Sequence, residues 1–231
     1  MTFLSPLSAE EMTAILLSLR VSLVAVGMTL PFATAAAWLL SRRPFPGQFA
    51  LNVLVHLPLV LPPVATGLGL LMLFGRAGPI GRLLEDWFGF SLAFRWTGAA
   101  LAAGIMALPL MVRAIRLSIE AVSHEYLEEA AVMGASRWQT FRHVVLPLAL
   151  PGVIAGAVLG YAKALGEFGA TITFVSNIPG ETQTIPGAIY SALQLPGGDW
   201  AAIRLTLVAV VISVAALALS EGMTRRQLQR R

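Results

Sequence analysis

The sequence contains no cysteine, which excludes a disulfide framework and a thiolate metal site and leaves no redox signature of a compartment. It is also poor in charge. Only 12% of its 231 residues are charged and 57% are apolar, whereas soluble domains carry about a quarter charged residues and less than half apolar ones. Lysine is almost missing: Lys163 is the single one, so the formal net charge of +4 rests on arginine. These cations sit in short runs between apolar stretches. A nucleic-acid binder would gather them on one polar face, so the pattern reads as the flanks of membrane spans and argues against nucleic acid as a partner. No Gly-x4-Gly-Lys-[Ser/Thr] phosphate loop occurs, so ATP has no site of that kind here and energy must come from another chain. His-Glu-x2-His and Gly-x-Ser-x-Gly are absent too, which leaves a metalloprotease or serine hydrolase centre unsupported.

What is present is a series of long uncharged runs. About 20 residues are needed to cross roughly 30 Å of hydrocarbon. The candidates are Val21 to Ser41, Pro44 to Gly75, Trp96 to Val112, His143 to Ala162 and Leu205 to Ser220. The third and fifth are short and need Arg113 and Arg204 to snorkel toward the interface. The first follows the acidic pair Glu10-Glu11 and is too long for the apolar region of a cleaved signal peptide, so it is expected to be retained. Ile185 to Leu195 adds a short helix dipping partway into the membrane, an incomplete sixth span tolerated only where protein or water covers its ends. With the N-terminus outside, the inner segments hold Arg42, Arg43, Arg113, Arg116, Arg137, Arg142, Arg225, Arg226, Arg230 and Arg231. The outer ones hold Arg20, Arg76, Arg82, Arg95, Lys163 and Arg204. The excess of basic residues inside favours an outer N-terminus and a cytoplasmic C-terminus.

Between the third and fourth spans lies Glu120 to Pro147. Ser123 is placed to cap a helix whose first turns carry Glu125, Glu128 and Glu129, where carboxylates favour the positive end of the helix dipole. Leu127, Ala130 and Ala131 share one side, and Gly134 suits the left-handed conformation that ends a helix. A second short helix, Ser136 to Arg142, then leads into the membrane at Leu146-Pro147. The string Glu129-Ala130-Ala131-x2-Gly134-x9-Val144-Val145-Leu146-Pro147 resembles the EAA signature of ABC importer permeases, with Val144 where isoleucine is frequent. The resemblance implies that Glu128, Glu129, Ala130, Ala131, Gly134, Leu146 and Pro147 belong to a coupling helix that docks into an ATPase subunit. Small alanines would permit close approach, and the glycine would let the chain turn sharply.

A second segment narrows the substrate. Ala164-Leu165-Gly166-Glu167-Phe168-Gly169-Ala170-Thr171, continued by Asn177-Ile178-Pro179-Gly180, Thr182-Gln183-Thr184 and Ala188-Ile189-Tyr190, is similar to the outer-side segment of molybdate permeases and, less closely, of sulfate permeases. Leu57 to Val64 and the Gly75 to Gly81 turn fit the same group. The similarity covers roughly residues 15 to 220. It implies that Lys163, Gly166, Glu167, Phe168, Gly169 and Asn177 belong to the outer gate and binding-protein side. Lys163 and Glu167, four apart, are expected to pair on one helix face near the outer end of the fourth span, for a few tenths of a kcal/mol if exposed. Pro62 and Pro63 must interrupt the second span, freeing backbone groups that can line a polar path. Gly152, Gly156 and Gly160 have the spacing that lets membrane helices approach closely, expected here within the subunit. Apart from His56, which is assigned no role, no ionisable side chain is expected at the central depths.

The expectation is an all-α polytopic membrane helix bundle of five to six transmembrane helices, with the type I (MetI-like) ABC importer fold. It forms one transmembrane domain over residues 1–231, with a core at about 13–220 and a cytoplasmic coupling segment at about 122–143. The implied protein is a permease subunit that moves molybdate inward through the inner membrane by ATP-driven alternating access. Tungstate or sulfate is the alternative cargo, and an ion-coupled secondary transporter the alternative class. The chain is expected to hold no cofactor or metal, with ATP-Mg bound by its partner. The implied partners are two copies of the ATPase subunit, a periplasmic or lipid-anchored molybdate-binding protein and a second copy of the chain.

Overall fold

The computed structural model describes residues 7–41 and 44–228; Arg42, Arg43, Arg230 and Arg231 of the charge count lie outside the described residues. All regular structure among the described residues is helical. The first helix, α1, spans Ala9–Leu40, because Ser8 and Glu11 form a capping box at its start: Glu11 N donates to Ser8 Oγ at 3.2 Å and Ser8 N to Glu11 Oε2 at 2.6 Å. Glu10 and Glu11 therefore do not precede the first span. They stand in its opening turn, a correction to the start at Val21.

The long second run is divided. Helix α2 spans Gln48–Val60 and α3 spans Pro63–Phe74, with a bend of 116° between them at Leu61-Pro62. Pro62 and Pro63 lack the N–H groups that would carry the hydrogen-bond ladder onward, so the chain restarts a helix with Pro63 in its first turn. A short helix not foreseen from the sequence, α4 at Pro79–Phe88, follows and exposes Leu83, Trp87 and Phe88. Helix α5 spans Trp96–Glu120, well beyond the expected end at Val112. Then come α6 (His124–Val132), α7 (Arg137–Thr140), a π-helical turn (Phe141–Val145) and α8 (Leu146–Leu165). The last elements are α9 (Gly169–Val175), α10 (Ile185–Leu193) and α11 (Asp199–Leu228).

Four segments are long and apolar enough to cross a membrane, Ala9–Leu40, Trp96–Glu120, Arg137–Leu165 and Asp199–Ala218, and the bent α2–α3 pair makes up to five. Helix α10 is the expected incomplete sixth element; at about 1.5 Å per residue it is too short to span. The fifth span begins at Asp199 and not at Leu205, and the reason is an ion pair. Arg204 Nη2 lies 2.7 Å from Glu11 Oε1, with both side chains about nine-tenths buried, so Arg204 joins α11 to α1 where snorkelling was expected.

Helix α5 is the central post. Gly98, Ala99, Ala100, Ala102, Ala103, Gly104 and Ala107 are all buried along it, so α1 and α8 approach its backbone closely. Lipid tails are as apolar as leucine, which leaves close van der Waals packing as the term that joins such helices. On the α8 side the three glycines perform the same role within the subunit. A methyl group on Gly156 would fall 3.0 Å from Ile115 Cγ1, one on Gly160 2.6 Å from Met111 Sδ, and one on Gly152 would collide with Ser118. Ser118 Oγ also donates to the Ala149 carbonyl at 3.3 Å. These contacts set an antiparallel register: 118 beside 152, 115 beside 156, 111 beside 160. Carried one turn further, it puts Lys163 level with about residue 108, near the middle of α5. Trp96, at the start of α5, lies roughly 18 Å farther out. Lys163 thus stands in the last turn of α8, at the end of the fourth span as expected, and that end lies beside the middle of α5.

Candidate functional site

The EAA-like residues fold into a compact knob at the end of the bundle where α1 and α5 finish. Ser123 Oγ accepts from Glu125 N at 3.3 Å and starts α6. At its other end Ala135 N donates to the Ala130 carbonyl and Gly134 N to the Ala131 carbonyl, each at 3.0 Å, while Gly134 takes φ +76°. This is the glycine-ended closure in which the reversed chain satisfies the last carbonyls of the helix. Ser136 and Gln139 then form a second capping box, with Gln139 N donating to Ser136 Oγ at 3.3 Å and Ser136 N to Gln139 Oε1 at 2.8 Å. The expected second helix is shorter than Ser136 to Arg142, because it widens at Phe141 into the π turn. Leu146 N donates to the Phe141 carbonyl. Pro147 has no N–H to offer the carbonyl four residues back, and a widened turn ahead of it absorbs that gap.

The knob presents a different surface from the one its alanines suggest. Ala130 is only 8% exposed and packs inward, whereas Val132 and Met133 are 89% and 87% exposed. Glu125, Glu128 and Glu129 are exposed around them. Two large apolar side chains thus stand exposed on this turn, ringed by carboxylates. Met133 carries much of that surface and has no place in the alanine-glycine pattern, so no motif in the sequence marked it. Ala131 is exposed at the rim of a cleft of about 790 Å³ that Trp38, Phe45, Leu127, Arg137 and Phe141 also line. Trp38 stacks on Phe141 with ring centroids 4.3 Å apart and meets Trp138 edge-on at 6.0 Å, which ties α1 to α7 and fixes the knob to the membrane helices. Leu146 is half-buried against this inner cluster and Pro147 is exposed.

The second group of residues gathers beside the middle of α5, where two interrupted helices cross. The chain leaves α8 at Gly166 and re-enters a helix at Gly169, and this break meets the Pro62-Pro63 break. A methyl group on Gly169 would lie 2.6 Å from Pro63 Cβ, and one on Gly67 2.5 Å from the Ala170 carbonyl. Pro63 and Gly169, which the sequence offered as separate features, are thus in one joint. Lys163 Nζ lies 2.5 Å from Glu167 Oε2, and Glu167 Oε1 accepts from Ala170 N at 3.0 Å at the start of α9. Glu167 is 3% exposed while the Lys163 side chain is 30% exposed, so the pair is part-buried and not the fully exposed pair for which a few tenths of a kcal/mol holds. Phe168 packs on Tyr190 of α10 at 5.1 Å between ring centroids.

Asn177 has a scaffolding position. Its Nδ2 donates to the Gly187 carbonyl at 3.2 Å and to Ser191 Oγ at 2.8 Å, which pins the α9–α10 loop onto α10. Ser18 Oγ in turn accepts from Ile185 N at 2.6 Å, anchoring α10 to α1. His56 Nδ1 lies 2.9 Å from the Asn52 carbonyl of its own helix. Among the described residues no group of three His, Asp or Glu side chains converges on a common point.

A family model described as "Binding-protein-dependent transport system inner membrane component" matches residues 29–229. The chain is 52% identical over 224 residues to the Molybdenum transport system permease protein ModB of Escherichia coli K12, covering 97% of this chain and 98% of that one. It is 51% identical to the protein of the same name from Haemophilus influenzae, over 94% of each chain. Among solved structures it is similar to a chain of a bacterial ABC transporter involved in the import of the acidic polysaccharide alginate, with TM-score 0.73 and 18% identity over 95% of this chain and 80% of that chain.

Proposed function

The chain belongs to the family of binding-protein-dependent transport system inner membrane components, and from that premise we propose that it is the membrane permease subunit of an ABC importer for molybdate. The observation that carries the cargo assignment is the similarity to molybdenum permeases along nearly the full length of both chains. Sulfate and tungstate share the tetrahedral shape and charge of molybdate and are the competing cargoes.

In this reading α6 and its Val132-Met133 tip dock into an ATPase subunit, one for each of two copies of the chain. The binding protein docks at the opposite end, on the Phe168 to Trp200 region and the connection around α4. The N-terminus lies outside and the C-terminus in the cytoplasm, as the distribution of basic residues favours. ATP-Mg is bound and hydrolysed by the partner subunits. Closure of those subunits moves the knobs, and the capping boxes and the aromatic contact of Trp38 with Phe141 pass that movement to α1 and α8. The joint of Pro63 and Gly169 is where interrupted helices can shift relative to each other while their ends stay covered. The route thereby opens alternately to either side.

The test is uptake of radiolabelled molybdate by cells lacking this chain, with sulfate and tungstate as competitors. The reading expects uptake to fall to background at low molybdate and to return with the gene. Uptake unchanged by its loss removes the assignment.

A further inference from the structure

We propose that Lys163 is the mid-membrane contact of the translocated oxyanion, with Glu167 as the counter-charge that holds the lysine between passages; the proposal rests on the permease reading above. Lys163 is the only lysine of the chain and stands near the middle of α5, as the register 118/152, 115/156, 111/160 requires. Its side chain is 30% exposed and that of Glu167 only 2%. A charge at this depth is costly in hydrocarbon, so ionisable groups there face water or other protein. The exposed part of Lys163 therefore faces the route or the second copy of the chain, not lipid.

The two members of the pair are not equally held. Glu167 has two anchors, Lys163 Nζ on Oε2 and the Ala170 amide on Oε1, and it is enclosed. Lys163 has one anchor and a flexible four-carbon stem. The lysine is thus the member that can leave, while the carboxylate stays on the first turn of α9. An arriving oxyanion offers the ammonium what Glu167 offers it: negatively charged oxygens at hydrogen-bond distance. Exchange of one for the other keeps the buried charges paired at every stage, since breaking a buried pair without replacement is strongly unfavourable. Return of Lys163 to Glu167 then expels the anion. This competition keeps the site weak, as transport requires. The position adds to the case, because the pair sits where the Pro63 and Gly169 breaks meet, so a shift of that joint also changes the reach of Lys163.

The bland alternative is that the pair serves only to neutralise a helix cap. Replacing it with Lys163→Met and Glu167→Gln together separates the two, because glutamine still accepts from the Ala170 amide and no charge is left to satisfy. In proteoliposomes holding the complete importer, the doubly substituted complex is expected to assemble with its ATPase subunits yet to take up molybdate roughly tenfold more slowly, while Lys163→Arg stays within about threefold of wild type. Uptake by the neutral pair at the wild-type rate overturns the proposal. Should the neutral pair fail to assemble, Glu167→Gln alone decides. Its unopposed lysine is expected to let molybdate without binding protein stimulate ATP hydrolysis about threefold, and no stimulation overturns the proposal. Wild-type proteoliposomes that accumulate no molybdate would instead sink the permease reading itself.

Discussion

Gly169 is pressed against Pro63: a Cβ at Gly169 would stand 2.6 Å from the Pro63 Cβ, so the restart of α9 and the restart of α3 share one point of contact. Gly67 repeats the arrangement one turn along, against the Ala170 carbonyl at 2.5 Å. Any side chain at Gly169 must push the two helices apart. Gly169→Trp is expected to assemble poorly or, where it assembles, to transport molybdate at about a tenth of the wild-type rate or less. Gly169→Ala should be milder. The check is uptake normalised to assembled complex; normal uptake by the tryptophan variant would show that the joint is neither close-packed nor moving.

The pair of Glu11 and Arg204 gives a second prediction. It joins helices 193 residues apart in sequence, and both side chains are about nine-tenths buried. Removing Glu11 breaks this buried ion pair, a change that costs about 3–5 kcal/mol. Glu11→Ala is therefore expected to lower the thermal midpoint of the purified protein by several degrees. Glu11→Gln combined with Arg204→Met should recover most of that loss. A Glu11→Ala protein as heat-stable as wild type would mean that the pair does not secure α11 to α1.

Much of this arrangement was legible in the sequence, and the omissions have physical causes. The cap at Ser123, the left-handed Gly134 and the break at Pro62-Pro63 follow from local backbone chemistry, which a single sequence carries in full. The close approach at Gly152, Gly156 and Gly160 was legible for the same reason. Depth was not. Counting uncharged residues treats every ionisable group as a boundary, yet Arg204 and Glu167 lie inside because a partner distant in sequence, or the end of another helix, satisfies them. The helix starts at Ala9 and Asp199 were missed through the same assumption. The capping boxes Ser8-x2-Glu11 and Ser136-x2-Gln139 were readable signals that mark the true start of α1 and of α7.

The α5–α8 seam supplies a third prediction. The Cβ of any side chain at Gly152 would already collide with Ser118, and valine adds two methyl groups beyond it. Gly152→Val is expected to reduce the yield of folded protein severely. Gly27→Val on α1, where nothing lies within 4 Å, should leave it near the wild-type level. Equal yields of the two variants in detergent-extracted membranes would contradict the register from which the depth of Lys163 follows.

Orientation can be tested separately. A reporter active only in the cytoplasm should work when fused after Glu120 and stay silent when fused after Asp86 or Asn177, because the basic residues favour an inner α6 and an outer α4. Activity at Asp86 with silence at Glu120 would put the knob on the side where no ATPase exists.

Contact of α6 with the ATPase is tested most directly by the amount of ATPase subunit that stays with the purified membrane protein after washing. Met133 is 87% exposed at the tip of the knob and supports nothing within the subunit, so Met133→Arg should fold as wild type does. Gly134→Val should tilt the tip, since a β-branched residue in the left-handed region costs about 1 kcal/mol or more. Both proteins are expected to stay folded in detergent and to lose most of their ATPase subunits. Retention of those subunits at the wild-type ratio by both variants would contradict the docking role of α6.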